Sequence, residues 1–322
     1  MKILLTGCAG FIGARTASML LERGDEVVGV DNLNDYYDIR LKQHRLEGLR
    51  GRGSFTFSET DIEDRAALEK LFAGHRFDAV INLAARAGVR ASITSPRVYL
   101  TTNTLGTLNL LESMVQHSVP RLVMASTSSL YAGAAMPFLE TSNVTKPISP
   151  YAATKLAAEA LAQTWHHLHG IDVAILRYFT VYGPAGRPDM SPFRFIEWIR
   201  RGQPIQLYGD GNQTRDFTYI DDIASGTVAA LGSRGCEVIN LGGGNEPVSI
   251  NAMIAAIEEG LGKKAIIDHL PPNPADMQDT SAEIGKARAL LGWQPSVSPQ
   301  EGFRRTAKWH SENADWLDRI EL

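Results

Sequence analysis

A tyrosine and a lysine four residues apart form the pair of side chains in this sequence best suited to move a proton. Tyr151 and Lys155 follow Ser149-Pro150 at the predicted start of a helix, where this spacing places both side chains on one face. A phenol, with a pKa of about 10, is a poor base at neutral pH. A neighbouring ammonium group and a cofactor cation would lower that pKa.

A run of hydroxyl side chains supplies a third group. Ser126, Thr127, Ser128 and Ser129 follow a predicted strand, and open α/β sheets bind ligands at the carboxyl ends of their strands. With Thr127 sharing the proton, the three groups suit removal of a proton from an alcohol while a hydride leaves the same carbon. The alternative is an ordinary helix tyrosine beside a solvated lysine.

The first residues contain a glycine turn of the type that binds a pyrophosphate. Gly7, Gly10 and Gly13 form G-x-x-G-x-x-G between a predicted strand and a predicted helix, whose N-terminus offers free N–H groups. Asp31 ends the next strand, where a carboxylate accepts ribose hydroxyls and repels a 2′-phosphate, which favours NAD over NADP. Asp61 either borders the adenine or caps a helix.

The elements that position these residues alternate along the first half of the chain. Short apolar runs predict strands over 2–6, 26–30, 55–59, 79–83, 121–126 and 172–177, with helices over 11–23, 64–73, 96–117 and 150–168 between them. Such alternation predicts an α/β fold with a doubly wound parallel (Rossmann) sheet.

After about residue 178 the alternation stops, and glycines and prolines over 183–192 predict loops. Short strands are predicted over 204–208 and 237–241, and helices over 221–230, 249–261, 283–291 and 299–313, with a short run at 265–268. We expect an NAD-binding domain over 1–177, rejoined by about 215–240. A smaller α/β region over 178–214 and 241–322 would bind the substrate.

Composition excludes several classes of protein. The chain has 322 residues, 44% hydrophobic and 21% charged, with a formal net charge of −4 and no basic block, so we expect no nucleic-acid partner. The short apolar run before Gly7 is not a signal peptide, and no apolar stretch is long enough to cross a membrane. Two cysteines exclude a disulfide framework. We therefore expect a cytoplasmic protein without a membrane partner.

Three histidines, His166, His167 and His169, are crowded on one predicted helix. Neither a cysteine nor a carboxylate lies near them at ligand spacing, and exposed helix histidines are commoner than metal ligands. We therefore predict no metal site.

Taken together, these motifs resemble the extended short-chain dehydrogenase/reductase family, and within it the nucleotide-sugar epimerases. The resemblance extends over essentially the whole chain. It rests on the glycine turn, the Tyr151 and Lys155 pair, and residues 31–38, 83–85, 87–90, 126–129, 177–184, 187–190 and 215–222.

The resemblance implies roles for individual residues. The implied catalytic residues are Thr127, Tyr151 and Lys155. NAD would be bound by Gly7, Gly10, Phe11, Ile12, Gly13, Asp31, Asn32, Asp61, Ile62, Leu83, Ala84, Ala85, Asn103, Tyr151, Lys155 and Tyr178. A UDP-sugar would be bound by Arg90, Ser128, Ser129, Thr180, Arg187, Tyr208, Arg215 and Asp276.

Within the family, dehydratases and decarboxylases carry an acidic residue after or near the catalytic threonine, whereas Ser128 and Ser129 follow Thr127 here. This difference favours 4-epimerisation, and the resemblance implies UDP-glucuronate as the substrate and a homodimer. The alternatives are epimerisation of a neutral UDP-hexose and a non-catalytic NAD-binding protein. The serines could instead cap a loop, and Arg187 could pair with Asp189 at the surface.

Two departures from the family pattern concern the nucleotide-binding end. Tyr131-Ala132-Gly133 has an alanine where the family has glycine directly after the tyrosine, and residues 271–276 lack the arginine that many relatives carry there.

Overall fold

The computed structural model describes residues 1–244, 247–272 and 277–322, and a parallel sheet forms its centre. The strands are β1 Lys2–Thr6, β2 Glu26–Asp31, β3 Phe55–Glu59, β4 Ala79–Asn82, β5 Arg121–Thr127, β6 Asp172–Tyr178, β7 Thr180–Tyr182, β8 Pro204–Tyr208, β9 Thr214–Arg215, β10 Phe217–Tyr219, β11 Cys236–Leu241, β12 Val248–Ser249 and β13 Ile266–Leu270.

The α-helices are α1 Phe11–Glu22, α2 Ile39–Glu47, α3 Arg65–Gly74, α4 Val89–Thr94, α5 Pro96–Tyr99, α6 Gly106–Gln116, α7 Pro150–His169, α8 Ser191–Arg201, α9 Ile220–Ala229, α10 Ile250–Leu261, α11 Gly285–Leu291, α12 Pro299–Glu312 and α13 Ala314–Leu317. One π-helical segment, Leu100–Leu105, lies between α5 and α6, and short 3₁₀ segments cover Ser128–Tyr131 and Ala230–Gly232.

Seven strands form the main sheet in the order β11-β6-β5-β4-β1-β2-β3, with every neighbouring pair parallel. Two apolar clusters of buried side chains pack against this sheet and the helices that cover it. The predicted α/β class and doubly wound parallel sheet are therefore confirmed. The strand order reverses at β1, beside β4, and this reversal opens a crevice at the carboxyl ends of the strands.

The remaining strands form three pairs, β7 with β10, β9 with β12 and β8 with β13. A third apolar cluster joins side chains of α8, α10 and α12 with β8 and β10. Strand β11 then joins the main sheet, where it pairs with β6. The proposed division into two domains stays a prediction.

Two predictions of secondary structure were wrong. The helix over 96–117 is divided into α5, the π-helical segment and α6. Helix α8 occupies part of the stretch expected to be loop, because Pro192 lies in its first turn, where proline removes no intrahelical hydrogen bond. Helices α2 and α4 were also not predicted.

Within the described ranges, no helix is long and apolar enough to cross a membrane.

Candidate functional site

A cavity of about 770 Å³ opens at the carboxyl ends of the central strands. It is bordered by the glycine turn, by the ends of β2 and β5, by the start of α7 and by the loop after β7. Of the predicted site residues, the cavity wall includes Gly7, Gly10, Phe11, Ile12, Gly13, Asp31, Asn32, Asp61, Ile62, Leu83, Ala84, Ala85, Arg90, Thr127, Ser128, Ser129, Tyr151, Lys155, Tyr178, Thr180, Arg187, Tyr208 and Arg215.

Among the described residues, one predicted site residue does not line the cavity. Asn103 is 1% exposed; its side chain accepts a hydrogen bond from the Arg86 N–H and donates to the Arg86 carbonyl and to Thr154 Oγ1. Asn103 therefore fixes the backbone that borders the cavity, and its contact with NAD stays a prediction. Asp276 lies outside the described residues.

The glycine turn brings the backbone close to where a pyrophosphate would lie. Gly7 has a φ of +70°, and a Cβ there would lie 2.7 Å from the Ala84 nitrogen. An L side chain is therefore excluded both by the backbone conformation and by the lack of space. Gly10 precedes α1 and has no side chain to cap it. The first N–H groups of α1 thus stay available for an anion.

Asp31 is fixed at the end of β2, beside the glycine turn. Its carboxylate accepts hydrogen bonds from the Ala9 and Leu33 N–H groups, at 3.2 and 2.9 Å. Lys42 Nζ of α2 lies 3.6 Å from it. Across the same part of the cavity, the Asn32 amide donates to Asp61.

The donors and acceptors at this end therefore fit an adenosine diphosphate moiety. A turn without side chains faces the anion, and a carboxylate is positioned for the ribose hydroxyls. In the portion of the chain that the structure covers, no cluster of histidine, cysteine, aspartate and glutamate side chains could bind a metal ion.

Sequence reasoning missed two basic residues of α2 at this site. Lys42 and Arg45 are both buried. Arg45 donates to the carbonyls of Ala9, Ala185 and Gly186. It thereby attaches the glycine turn to the loop that carries Arg187. The Asp38 side chain, which caps the first turn of α2, was the available indication of this helix.

The predicted acid–base residues meet in the cavity. Thr127 is the last residue of β5, and Tyr151 and Lys155 lie in the first two turns of α7, whose N-cap is Ser149. The Lys155 ammonium donates to the Ala125 carbonyl at 2.9 Å. Burial lowers the pKa of Lys155 to about 8, and Glu159 acts in the opposite direction.

The expected decrease in the pKa of the phenol, caused by Lys155 together with a cofactor cation, stays a prediction. Burial raises the pKa of Tyr151, and the hydrogen bond with Thr127 and the Arg187 charge only partly offset this rise. The Lys155 ammonium bonds to a backbone carbonyl instead. Further cationic charge near the phenol is therefore needed before it can ionise at neutral pH.

The predicted sugar-binding side of the cavity is rich in hydroxyls and arginines. Ser128 and Ser129 begin the 3₁₀ turn after β5, and it is Thr127 Oγ1 that caps this turn by accepting from the Ser129 N–H. Arg187 pairs with Asp189, as the alternative interpretation expected, although both residues line the cavity.

Two other cavity residues, Arg90 and Arg215, are held by contacts with neighbouring residues. The Arg90 guanidinium lies 4.6 Å from the centre of the Tyr208 ring. Arg215 donates to the Thr214 and Gln278 carbonyls. Arg194, which was not predicted, also lines the cavity.

A parallel sheet with a glycine turn, a strand-end aspartate and a tyrosine–lysine pair beside a threonine defines a dinucleotide-dependent enzyme of the extended short-chain dehydrogenase/reductase type. Residues 3–242 match the model of the NAD dependent epimerase/dehydratase family. The chain belongs to this family, and the predictions of an enzyme and of NAD as its cofactor are confirmed.

The relatives that match over the full length include nucleotide-sugar epimerases. A UDP-glucuronate 4-epimerase of Thermodesulfobacterium geofontis is 54% identical over 319 residues, which is 99% of each chain. The structure of UDP-glucuronic acid 4-epimerase from Bacillus cereus, in complex with UDP-glucuronic acid and NAD, has 39% identity and a TM-score of 0.91, covering 97% of this chain and 99% of that one.

A third relative, with lower sequence identity, is named for a neutral sugar. UDP-glucose 4-epimerase from Thermotoga maritima, with UDP-glucose, has 31% identity and a TM-score of 0.88, covering 98% of this chain and 100% of that one. These named relatives are isomerases, in line with the class predicted from the sequence.

Proposed function

We propose that the chain is an NAD-dependent 4-epimerase that interconverts UDP-glucuronate and UDP-galacturonate, with Tyr151 as the base. The observation that carries this proposal is the set of side chains that line the cavity around Tyr151. There Thr127, Ser128 and Ser129 present neutral hydroxyls, and Arg187 contributes to the charge near the phenol. The relatives that act on UDP-glucuronate support the choice of substrate.

In this proposal Tyr151 accepts the proton of the sugar 4-hydroxyl, and the Thr127 hydroxyl stabilises the phenolate by a hydrogen bond. NAD, when bound, accepts the hydride from carbon 4 and later returns it. The planar 4-ketone turns over within the cavity before the phenol returns the proton. The sugar therefore changes configuration without net oxidation.

A uronic acid adds a requirement, because its 4-keto intermediate is a β-keto acid that loses CO₂ when the carboxylate bond aligns with the carbonyl π system. The enzyme must hold the carboxylate near the plane of the carbonyl. Ser128, Ser129 and Thr180 supply hydroxyl donors for this purpose, and Arg187 supplies charge. The absence of a carboxylic acid directly after Thr127 also favours epimerisation over elimination.

A second candidate is epimerisation of a neutral UDP-hexose. The ion pair between Arg187 and Asp189 favours it, because an arginine already paired attracts a substrate carboxylate less strongly. The similarity to a UDP-glucose 4-epimerase is consistent with this alternative.

The deciding experiment is incubation of the purified protein with UDP-glucuronate and, separately, with UDP-glucose, followed by mass spectrometry of chromatographically separated products and a CO₂ assay. We expect UDP-galacturonate from UDP-glucuronate, little CO₂ and slower reaction of UDP-glucose. Faster reaction of UDP-glucose would establish the neutral-sugar alternative. Unchanged NAD and unchanged sugars in every incubation would leave a non-catalytic NAD-binding protein.

We also propose that the chain forms a homodimer through the face next to α7. Leu100 and Leu105 of the π-helical segment are 51% and 47% exposed, although this segment packs on α7. Leu105→Glu should shift the protein to a monomer in analytical ultracentrifugation, while Leu290→Glu, at an exposed leucine of α11, should not. A cytoplasmic location and the lack of nucleic-acid and membrane partners stay predictions.

A further inference from the structure

Glu159 is a buried carboxylate that the proposed reaction does not use. It is 2% exposed and lies on α7 at a spacing of four residues from Lys155, which is itself four residues from Tyr151. The three side chains therefore follow one another along a single face of the helix. That face packs against β5 and β6.

Three donor atoms bind the Glu159 carboxylate from these two strands. The Ser126 hydroxyl donates to Oε1 at 2.5 Å. The Arg177 guanidinium donates from Nε to Oε1 at 3.0 Å and from Nη2 to Oε2 at 2.7 Å. Arg177 also donates to the Tyr131 hydroxyl, which donates to Asn240. A carboxylate bound by three donors is held in one orientation.

Lys155 and Glu159 connect α7 to two successive residues of β5. Lys155 Nζ donates to the Ala125 carbonyl, and Glu159 accepts from Ser126. The next residue of the strand is Thr127. The position of the Thr127 hydroxyl relative to α7 therefore depends on both contacts.

We propose that Glu159 is a positioning residue for the reaction: fixed by Arg177, it holds the end of β5 against α7 and places a negative charge on the same helix face as the Lys155 ammonium. The chemical consequence rests on the proposed function, because the Lys155 charge matters through the Tyr151 phenolate.

The electrostatic part of this inference concerns a small set of groups. Burial lowers the pKa of Lys155 to about 8, and the Glu159 charge opposes this decrease. The π-helical segment that also packs on α7 has no titratable side chain in its sequence. Besides Tyr151 and Glu159 on the helix itself, the elements packed on α7 carry the following titratable and charged groups: Arg121 of β5, Tyr131 after β5, Asp172, Arg177 and Tyr178 of β6, Arg90 of α4, Arg97 and Tyr99 of α5, and Glu112 of α6. Of these, Glu159 is the charge that acts on Lys155.

The test requires a variant that removes the carboxylate without leaving a buried charge alone. Glu159→Gln by itself would leave the Arg177 guanidinium without its counter-ion, which destabilises a protein strongly, whereas replacing both members of a buried pair is tolerated. The informative variant is therefore Glu159→Gln with Arg177→Met. Circular dichroism would verify that it is folded.

The measurement is the titration of Lys155 in the NAD-loaded protein, followed by NMR of lysine labelled at Cε. The Lys155 resonance is assigned by its loss in Lys155→Met. Glu159 is the charged group that acts on the Lys155 ammonium, so we expect the midpoint in the double variant to lie below that of the wild type even though the Arg177 charge is removed with it. The limb of the pH–activity profile that follows this midpoint should move with it.

Glu301→Gln with Arg304→Met is the matched control, because it also removes a carboxylate together with its arginine partner, here on α12, and leaves no buried charge alone. It should leave the Lys155 midpoint unchanged. An unchanged midpoint in the folded Glu159 and Arg177 double variant would overturn the proposal and make the Glu159 pair purely structural, as would an equal shift in the control. If the wild type fails to convert UDP-glucuronate, the proposed function is rejected, while the NMR titration still decides the role of Glu159.

Discussion

Arg187 and Asp189 form a two-point ion pair on the wall of the cavity, with Nε 3.0 Å from Oδ1 and Nη2 2.6 Å from Oδ2. The Arg187 guanidinium also lies 5.6 Å from the centre of the Tyr36 ring. This arrangement fixes the arginine before any substrate arrives. A sugar carboxylate would therefore meet a positive charge that Asp189 already partly neutralises.

Removing the Asp189 carboxylate should strengthen the attraction of Arg187 for an acidic sugar. Asp189→Asn is expected to lower the KM for UDP-glucuronate several-fold and to leave the KM for UDP-glucose nearly unchanged. Arg187→Ala should weaken turnover of UDP-glucuronate about ten-fold or more, the equivalent of one charge-assisted hydrogen bond. Initial-rate kinetics with both substrates measures these effects. Equal changes for the two sugars would contradict a role for Arg187 in recognising the carboxylate.

Thr180 provides a test of how the carboxylate is held. Its backbone N–H bonds to the Asp216 carbonyl, so the side chain can be shortened without removing that contact. Thr180→Ala should slow turnover of UDP-glucuronate and release CO₂, because the 4-keto intermediate gains freedom to align its carboxylate for decarboxylation. Thr306→Ala, at a buried threonine of α12 whose hydroxyl donates to the Gly302 carbonyl, is the control for loss of a hydroxyl. Wild-type CO₂ levels in Thr180→Ala would contradict the proposed restraint.

Tyr151→Phe tests the base directly. The substitution removes the phenol oxygen and should reduce turnover at least a thousand-fold, at the upper part of the range for a general base, about 10²–10⁴. Bound NAD should be retained, since the glycine turn and Asp31 are unaffected. Turnover assays combined with absorbance of the bound cofactor check both statements. Tyr219→Phe, another buried tyrosine, should remain active, and undiminished activity of Tyr151→Phe would refute its role.

The sequence predicted the parts of this site that depend on local patterns. The glycine turn needs only a strand, three glycines and a helix, and Tyr151 and Lys155 need only the four-residue spacing of α7. Lys42 could not be placed opposite Asp31, because their proximity depends on how a helix of mostly polar residues docks on the sheet.

Two further features could not be predicted from the sequence, because they too depend on how distant elements pack or on an irregularity within a helix. The Glu159 and Arg177 pair joins a helix to a strand, and neither residue indicates the other from the sequence. The division of the predicted helix 96–117 depends on one π-helical segment within an otherwise continuous helical pattern, which apolar periodicity does not reveal. Local spacing is therefore readable from sequence, whereas contacts between distant elements require the fold.

Arg45 offers a prediction about the connection between the two ends of the cavity. Because it bonds to Ala9 in the glycine turn and to Ala185 and Gly186 before Arg187, Arg45→Met should weaken NAD binding and raise the KM for the sugar together. The lost charged hydrogen bonds should lower the free energy of unfolding by about 2 kcal/mol or more. Isothermal calorimetry with NAD and urea unfolding measure these quantities.

Arg40→Met is the matched control for Arg45→Met. Arg40 lies on the same helix, is 43% exposed and pairs locally with Asp38, so it should change neither NAD affinity nor stability appreciably. A loss of NAD affinity in Arg45→Met with an unchanged KM for the sugar would contradict the proposed connection between the turn and the loop.

The buried pair of Glu197 and His310 predicts how stability depends on pH. His310 Nδ1 lies 2.7 Å from Glu197 Oε1, and both side chains are 0% exposed. Burial alone would raise the pKa of Glu197, but hydrogen bonds with His310 and Arg200 lower it to about 2, from an ordinary value of 4.5. Burial lowers the pKa of His310 below its ordinary value of 6.5.

Both shifts act in the same direction on stability. In the unfolded chain the histidine binds a proton below about pH 6.5 and the carboxyl group below about pH 4.5, whereas the folded chain binds both protons only at lower pH. Stability from Glu197 is thus complete above pH 4.5 and is lost as the pH falls toward 2, and stability from His310 decreases below pH 6.5. Urea unfolding at a series of pH values should show this decline.

Substitution separates the two contributions. Glu197→Gln should be less stable than the wild type at neutral pH, because two arginines and the histidine lose their partner. Its stability should then decline less steeply below pH 4.5. Glu301→Gln is the control, since Glu301 pairs with Arg304 and Arg305 on the surface of α12, where salt bridges contribute little. An identical pH dependence in Glu197→Gln and the wild type would show that acid unfolding begins at other carboxylates.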